Sequence, residues 1–134
     1  MRDRWGLFSF DAMLNPLKWA KGPWQALLVL LLVVVSYLAL TPKPLEGSES
    51  GLDKVGHLLA FIALGFTGYL GLPTRTALPL ALLAYGGLIE VLQLLVPGRS
   101  AEWGDLLADG IGIGVGIGLA ALVIRFGFPR SWSG

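Results

Sequence analysis

Long stretches without a charged side chain alternate with short polar clusters along this chain. No Asp, Glu, Lys or Arg lies between Lys21 and Lys43, between Lys54 and Arg75, between Arg75 and Glu90, or between Asp109 and Arg125. A hydrocarbon core of roughly 30 Å takes about 20 helical residues. The pattern predicts four membrane spans near residues 24–40, 55–72, 77–96 and 106–125, the third of which takes in Glu90. Each must be helical, because lipid offers no partner to an open backbone N–H or C=O.

Turn residues mark the connections. Residues 41–51 (TPKPLEGSESG) form a polar loop, and residues 97–104 (PGRSAEWG) link the last two spans. The tight PTRT hairpin at 73–76 makes spans two and three antiparallel neighbours. Upstream, Trp5, Phe8, Leu14, Leu17 and Trp19 interleave with Arg2, Arg4, Lys18 and Lys21. That mixture suits an amphipathic segment lying in the membrane interface. A signal peptide fits less well, since no A-x-A cleavage site follows the apolar run. The expected fold is an all-α integral membrane protein. An N-terminal interfacial segment (1–22) precedes a four-helix transmembrane bundle (23–126), and a short cytoplasmic tail (127–134) follows.

Composition sharpens this reading. Apolar residues make up 54% of the 134 residues and charged residues only 14%, against about 25% charged in a soluble domain. Mean hydropathy is +0.70. A soluble chain this short could not hide so much apolar surface. The net charge of +1 and the lack of Cys exclude a nucleic-acid partner held by a basic field, a disulfide scaffold and thiol chemistry. With both termini on one side, that side carries seven Lys and Arg (Arg2, Arg4, Lys18, Lys21, Arg75, Arg125, Arg130). The other side carries three (Lys43, Lys54, Arg99). The positive-inside rule then puts both termini in the cytoplasm of a multi-pass protein of the bacterial inner membrane.

In that orientation the polar residues of three spans meet near the outer face. Asp53 and His57 are four apart, as are Asp105 and Asp109, while Glu90 and Gln93 are three apart. Each pair therefore shares a helix face. Ionisable groups inside a span are costly and normally face the bundle interior. His57 is the candidate general acid/base, oriented by Asp53 or Asp105. Glu90 is a second carboxylate for the same chemistry, giving a candidate catalytic set of His57, Glu90 and Asp105. Lys54 and Arg99 could hold a phosphate or carboxylate, with Asp53, Gln93 and Asp109 completing the substrate-binding set. Plainer roles compete with these: interhelical fastening for Gln93, helix capping for Asp53 and Asp105, interfacial snorkelling for Lys54 and Arg99.

Asp53, Glu90, Asp105 and Asp109 outnumber Lys54 and Arg99, and such an excess is costly away from water. A proton shared on Glu90 is the preferred offset. There is no H-E-x-x-H or other paired-His signature, so no metal is assigned, and no cofactor is called for. The fourth span carries two glycine faces, Gly110/Gly114/Gly118 and Gly112/Gly116, of the kind that let helices approach closely in lipid. Its period-two Gly alternation is not a strand, since an isolated strand cannot cross a bilayer. Nor is it a nucleotide loop, since no strand precedes it.

The ordered set Asp53-Lys54-x-x-His57-x-x-x-Phe61, Glu90-x-x-Gln93, Arg99, and Asp105 with a Gly-rich fourth helix resembles the VanZ-like family over residues 25–124. These are small bacterial membrane proteins named for a member linked to teicoplanin resistance. Such proteins often carry Asn near the place of Asp109. The resemblance implies an envelope role. Two readings follow. In the first, the outward-facing polar pocket binds or processes an envelope lipid or a lipid-linked cell-wall precursor, with or without catalysis. In the second, the chain is a structural or accessory subunit that docks a larger membrane partner, or a second copy of itself, through its glycine faces. A transporter fits poorly, because the four spans show no inverted repeat.

Overall fold

The computed structural model describes residues 21–43 and 50–126. Among the described residues the chain forms four α-helices and no strand: α1 (Lys21–Leu40), α2 (Ser50–Gly71), α3 (Leu78–Gln93) and α4 (Trp103–Phe126). α1, α2 and α4 are long and apolar enough to cross a membrane. The expected interfacial segment and C-terminal tail lie outside the described residues, except for Lys21 and Gly22, which open α1.

Three helix starts and one helix end differ from expectation, α1 beginning at Lys21 and not at residue 24. α2 and α4 begin before residues 55 and 106, so Asp53 and Asp105 lie in their first turns, where the positive end of the helix dipole favours a carboxylate. α3 has 16 residues, about 24 Å at 1.5 Å per residue, and stops short of residue 96. Pro97 accounts for the shortening, since it pushes Val96 away from the α conformation. Beyond Gln93 the chain tightens into three-residue turns, with Leu95 N–H donating to Leu92 O at 3.0 Å and Val96 N–H to Gln93 O at 3.1 Å.

The most extensive seam joins α2 and α4, which run parallel. Of the two glycine faces on α4, only Gly112/Gly116 makes it. A Cβ on Gly112 would stand 2.6 Å from Leu58 O, and one on Gly116 would run into Ile62 O. Gly65 answers from α2, where a Cβ would lie 2.9 Å from Ile113 O. The other face is open: a Cβ added at Gly114 or Gly118 would meet nothing within 4 Å. Phe61 and Leu64 are fully buried beside Leu28, Leu78, Leu82 and Ile113. Large apolar side chains such as Val33, Leu80, Leu119 and Leu122 point outward, the inverse of a soluble surface and the expected dress of a lipid-facing helix.

α1 buries only Leu28 and is fastened by polar contacts at several depths. Gln25 Nε2 donates to Gly71 O at 2.9 Å, and Gln93 Nε2 donates to Ala39 O at 3.0 Å. Midway, Tyr85 O–H donates to Leu32 O at 3.0 Å. Its single proton is then spent, so Ser36 Oγ must donate to Tyr85 across their 2.7 Å contact. Arg99 closes the helix by donating from Nη2 to Leu38 O at 2.6 Å and from Nε to Thr41 O at 3.0 Å. A distant cation thus satisfies carbonyls that a helix C-terminus leaves open. The contacts of Gln25 and of Arg99 put the start of α1 beside the end of α2, and the end of α1 beside the α3–α4 connection at the opposite, polar end.

Candidate functional site

One stripe on each of α2, α3 and α4 is apolar or glycine over most of its length and turns polar at the end where the two long connections meet. On α4 the buried stripe runs Asp105, Asp109, Gly112, Gly116, Ala120. On α3 it runs Leu78, Leu82, Gly86, Ile89 and Glu90, Gln93. His57 stands one turn before Phe61 on α2, and its ring faces both stripes.

Asp109 is 0% exposed and its Oδ1 lies 2.8 Å from His57 Nδ1. An ionised carboxylate can only accept, so this contact places the ring proton on Nδ1. The free lone pair of Nε2 then points toward Glu90 Oε1 at 3.7 Å and Asp105 Oδ2 at 3.9 Å. Glu90 Oε2 accepts the backbone N–H of Glu102 at 2.9 Å, which ties α3 to the start of α4. Its Oε1 has no hydrogen-bond partner among the described residues, and neither have Asp105 Oδ1 and Asp109 Oδ2. Gly86 makes room for this arrangement, since a Cβ there would collide with Asp109 Oδ2.

Asp53 and Asp105 are the expected orienting partners of His57, and the structure assigns that contact to Asp109 instead. Asp53 lies a full turn nearer the connection and is taken by the Lys43 ammonium, with Arg99 Nη1 at 3.8 Å. Asp105 faces the other ring nitrogen at a distance too long for a hydrogen bond. Lys54 is paired as well: its Nζ stands 2.6 Å from Glu102 Oε2 and 4.0 Å from Asp105 Oδ1. That ammonium holds the Glu102 carboxyl below its usual range. Gln93 is buried and donates to α1, the fastening role weighed for it, while its Oε1 stays unpartnered. The eight residues singled out in the sequence therefore share one end of the molecule but divide into four buried ones (Glu90, Gln93, Asp105, Asp109) and four half-buried ones (Asp53, Lys54, His57, Arg99).

Two cavities flank this cluster. One, of about 320 Å³, opens between α1 and α2 and is lined by Val35, Leu38, Leu52, Ala60 and Phe61 with Lys43, Asp53, His57 and Arg99. The other, of about 340 Å³, lies on the α3–α4 side against Glu90, Glu102, Trp103 and Leu106. His57 and Glu90 face different cavities and meet only through the cluster.

The VanZ/LLP1 family model matches residues 4–124. The chain belongs to the VanZ/LLP1 family. No curated protein and no solved structure matches it. The match begins upstream of residue 25, where the resemblance in the sequence begins, so residues 4–24 are part of this family's length as well. Within this VanZ/LLP1 chain, sequence reasoning passes over Lys43 as a partner for Asp53 and Glu102 as a partner for Lys54. It also passes over Tyr85, although a tyrosine in the middle of an apolar helix signals a buried hydroxyl that needs a partner.

Proposed function

We propose that this protein is a four-span bundle of the bacterial cytoplasmic membrane, with both termini inside. In this reading its outward-facing polar end binds an anionic envelope lipid or lipid-linked cell-wall precursor. The observation that carries the reading is the shape and lining of the α1–α2 cavity. Apolar walls from Val35, Leu38, Leu52 and Phe61 lead up to Lys43, Arg99 and the edge of His57. An acyl or prenyl chain suits the walls, and a phosphate suits the two cations in exchange for Asp53, which lines the same cavity and pairs with them. A role in glycopeptide resistance, which the family's namesake suggests, would follow from occupancy of this cavity by the precursor. Unpartnered buried oxygens also favour a working site, because a purely fastening network would have paired them.

The cavity can be filled without disturbing the fold. Gly56 lines it, and a Cβ at Gly56 meets nothing within 4 Å. Gly56→Leu is therefore expected to keep the thermal stability of the parent and to lose retained phospholipid. Native mass spectrometry after extraction from mixed phosphatidylglycerol and phosphatidylcholine vesicles reads this directly. Equal anionic-lipid adducts on parent and variant would end the cavity reading.

Orientation has its own check, made clean by a chain without Cys. Ser100 and Thr74 are exposed at opposite ends of the helices. Ser100→Cys should react with an impermeant maleimide added outside intact cells, and Thr74→Cys only after the membrane is opened. The reverse pattern would turn the polar end to the cytoplasm.

A second reading, a subunit that docks a partner, draws support from the open Gly110/Gly114/Gly118 face of α4. A Cβ at Gly114 or Gly118 would meet nothing within 4 Å, and small faces of this kind join helices in lipid.

A further inference from the structure

We infer that His57 Nε2, Glu90 Oε1 and one Asp105 carboxylate oxygen form a three-ligand site for a divalent cation of the zinc type. One donor atom from each residue lies within 4.8 Å of the other two. Donors about 2.0–2.2 Å from a tetrahedral Zn²⁺ stand about 3.3–3.6 Å apart. The observed 3.7 and 3.9 Å from His57 Nε2 to the two carboxylates need to close by a few tenths of an ångström, and the Glu90–Asp105 edge, within 4.8 Å, closes by rotation of the two carboxylates onto the ion.

A proton serves this geometry poorly. An imidazolium N–H would draw a carboxylate to about 2.7–2.9 Å, and neither carboxylate is that close. A neutral ring, with its proton on Nδ1, instead aims a lone pair at two oxygens. Like-signed electron density converging on one point in a buried setting is unfavourable unless a cation, or a proton on one of the carboxylates, offsets it, and only a cation also uses the Nε2 lone pair and both oxygens at once. Glu90 and Asp105 are each more than nine-tenths buried, and Glu90 Oε1, the oxygen nearest Nε2, has no hydrogen-bond partner among the described residues. A divalent ion would offset the two carboxylates that face Nε2, Glu90 and Asp105.

Asp109 has the part of a positioning residue. A ligating histidine commonly gives its other N–H to a carboxylate, which fixes the tautomer and aims the ring. The Asp109–His57 contact of 2.8 Å is that arrangement. Three protein ligands leave a position open, as in zinc sites that bind water or an exchangeable oxygen ligand. The site rests on its own donors and stands whether or not the adjoining cavity holds a lipid.

The test uses the full chain in detergent, stripped with chelator and reloaded with Zn²⁺ or Co²⁺. Uptake of about one ion per chain is expected, with Co²⁺ giving the intense visible bands of a low-coordinate site. Glu90→Gln and Asp105→Asn should each weaken Zn²⁺ binding at least tenfold, and Asp109→Asn about 10- to 100-fold through His57. Uptake by the parent that matches the Glu90→Gln variant, or faint octahedral Co²⁺ bands, would overturn the site. If a variant fails to fold, the stoichiometry and spectrum of the parent still decide. No added lipid enters the measurement, so it separates failure of the metal site from failure of the lipid reading.

Discussion

Gly116→Ala is expected to destabilise this protein by about 3 kcal/mol, at the upper end of what an added methyl costs a packed core. Gly114→Ala, two residues away on the same helix, should stabilise it by roughly 0.5–1 kcal/mol. The methyl group is the same, and the difference lies in what it meets. At Gly116 the new Cβ runs into the Ile62 carbonyl and lies 2.9 Å from Phe66 N. Both are backbone atoms of α2 and cannot turn aside as a side-chain end would. α2 would have to move off α4, opening the seam that holds His57 against Asp109. At Gly114 nothing lies within 4 Å, so the residue only gains the lower backbone entropy of alanine in the unfolded chain. Unfolding in mixed detergent–SDS titrations measures both. The edge-on contact of Trp24 on α1 with Phe66 on α2 at 5.8 Å supplies a fluorescence signal that follows the unfolding of α2. Equal effects at the two glycines would show that the α2–α4 seam is not the one described. The open face has a separate readout: Gly114→Leu, if it changes particle size in mild detergent, favours the docking reading, and an unchanged size counts against it.

That α4 has one packed and one free glycine face explains how far the sequence can be read. Charge-free stretches and turn residues are enough for the helices, because a bilayer admits few alternatives to a helix of sufficient length. The convergence of Asp53, His57, Glu90, Gln93, Arg99 and Asp105 at one end follows from helix direction alone. Partner choice does not. Asp53 and His57 share a face of α2 by spacing, which suggests a pair, yet spacing within one helix says nothing about what the neighbouring helix offers. His57 and Asp109 are 52 positions apart and meet because Gly112 and Gly116 seat α4 on α2 in one register. Had Gly110 and Gly114 made the seam, α4 would be rotated and Asp109 would leave His57. Two equivalent glycine faces in the sequence leave that rotation open. Arg99 shows the same limit. A basic residue in a loop reads as an interfacial or ligand-binding cation, whereas its role at the end of α1 depends on carbonyls some 60 residues away.

Glu90→Gln is expected to raise the stability of the metal-free protein by about 1–3 kcal/mol, the penalty of a buried polar atom left without a partner. The two oxygens of Glu90 differ in what they meet. Oε2 accepts the Glu102 N–H, and a glutamine carbonyl can do the same. Oε1 has no hydrogen-bond partner and faces the His57 Nε2 lone pair at 3.7 Å. An amide N–H₂ in its place is a donor aimed at an acceptor. The substitution therefore keeps the one hydrogen bond, turns a facing pair of acceptors at 3.7 Å, beyond hydrogen-bond reach, into a donor facing an acceptor, and leaves no charge to bury. Asp105→Asn works the same way toward Nε2, with a smaller gain because Lys54 at 4.0 Å already offsets part of that charge. A charge kept at a cost to stability marks a site retained for function. If the cluster were only a fastener between helices, neutralising Glu90 would loosen α3 from α4 and lower the unfolding midpoint. The sign of the shift in chelator-treated protein, measured for both variants, therefore separates a working site from packing.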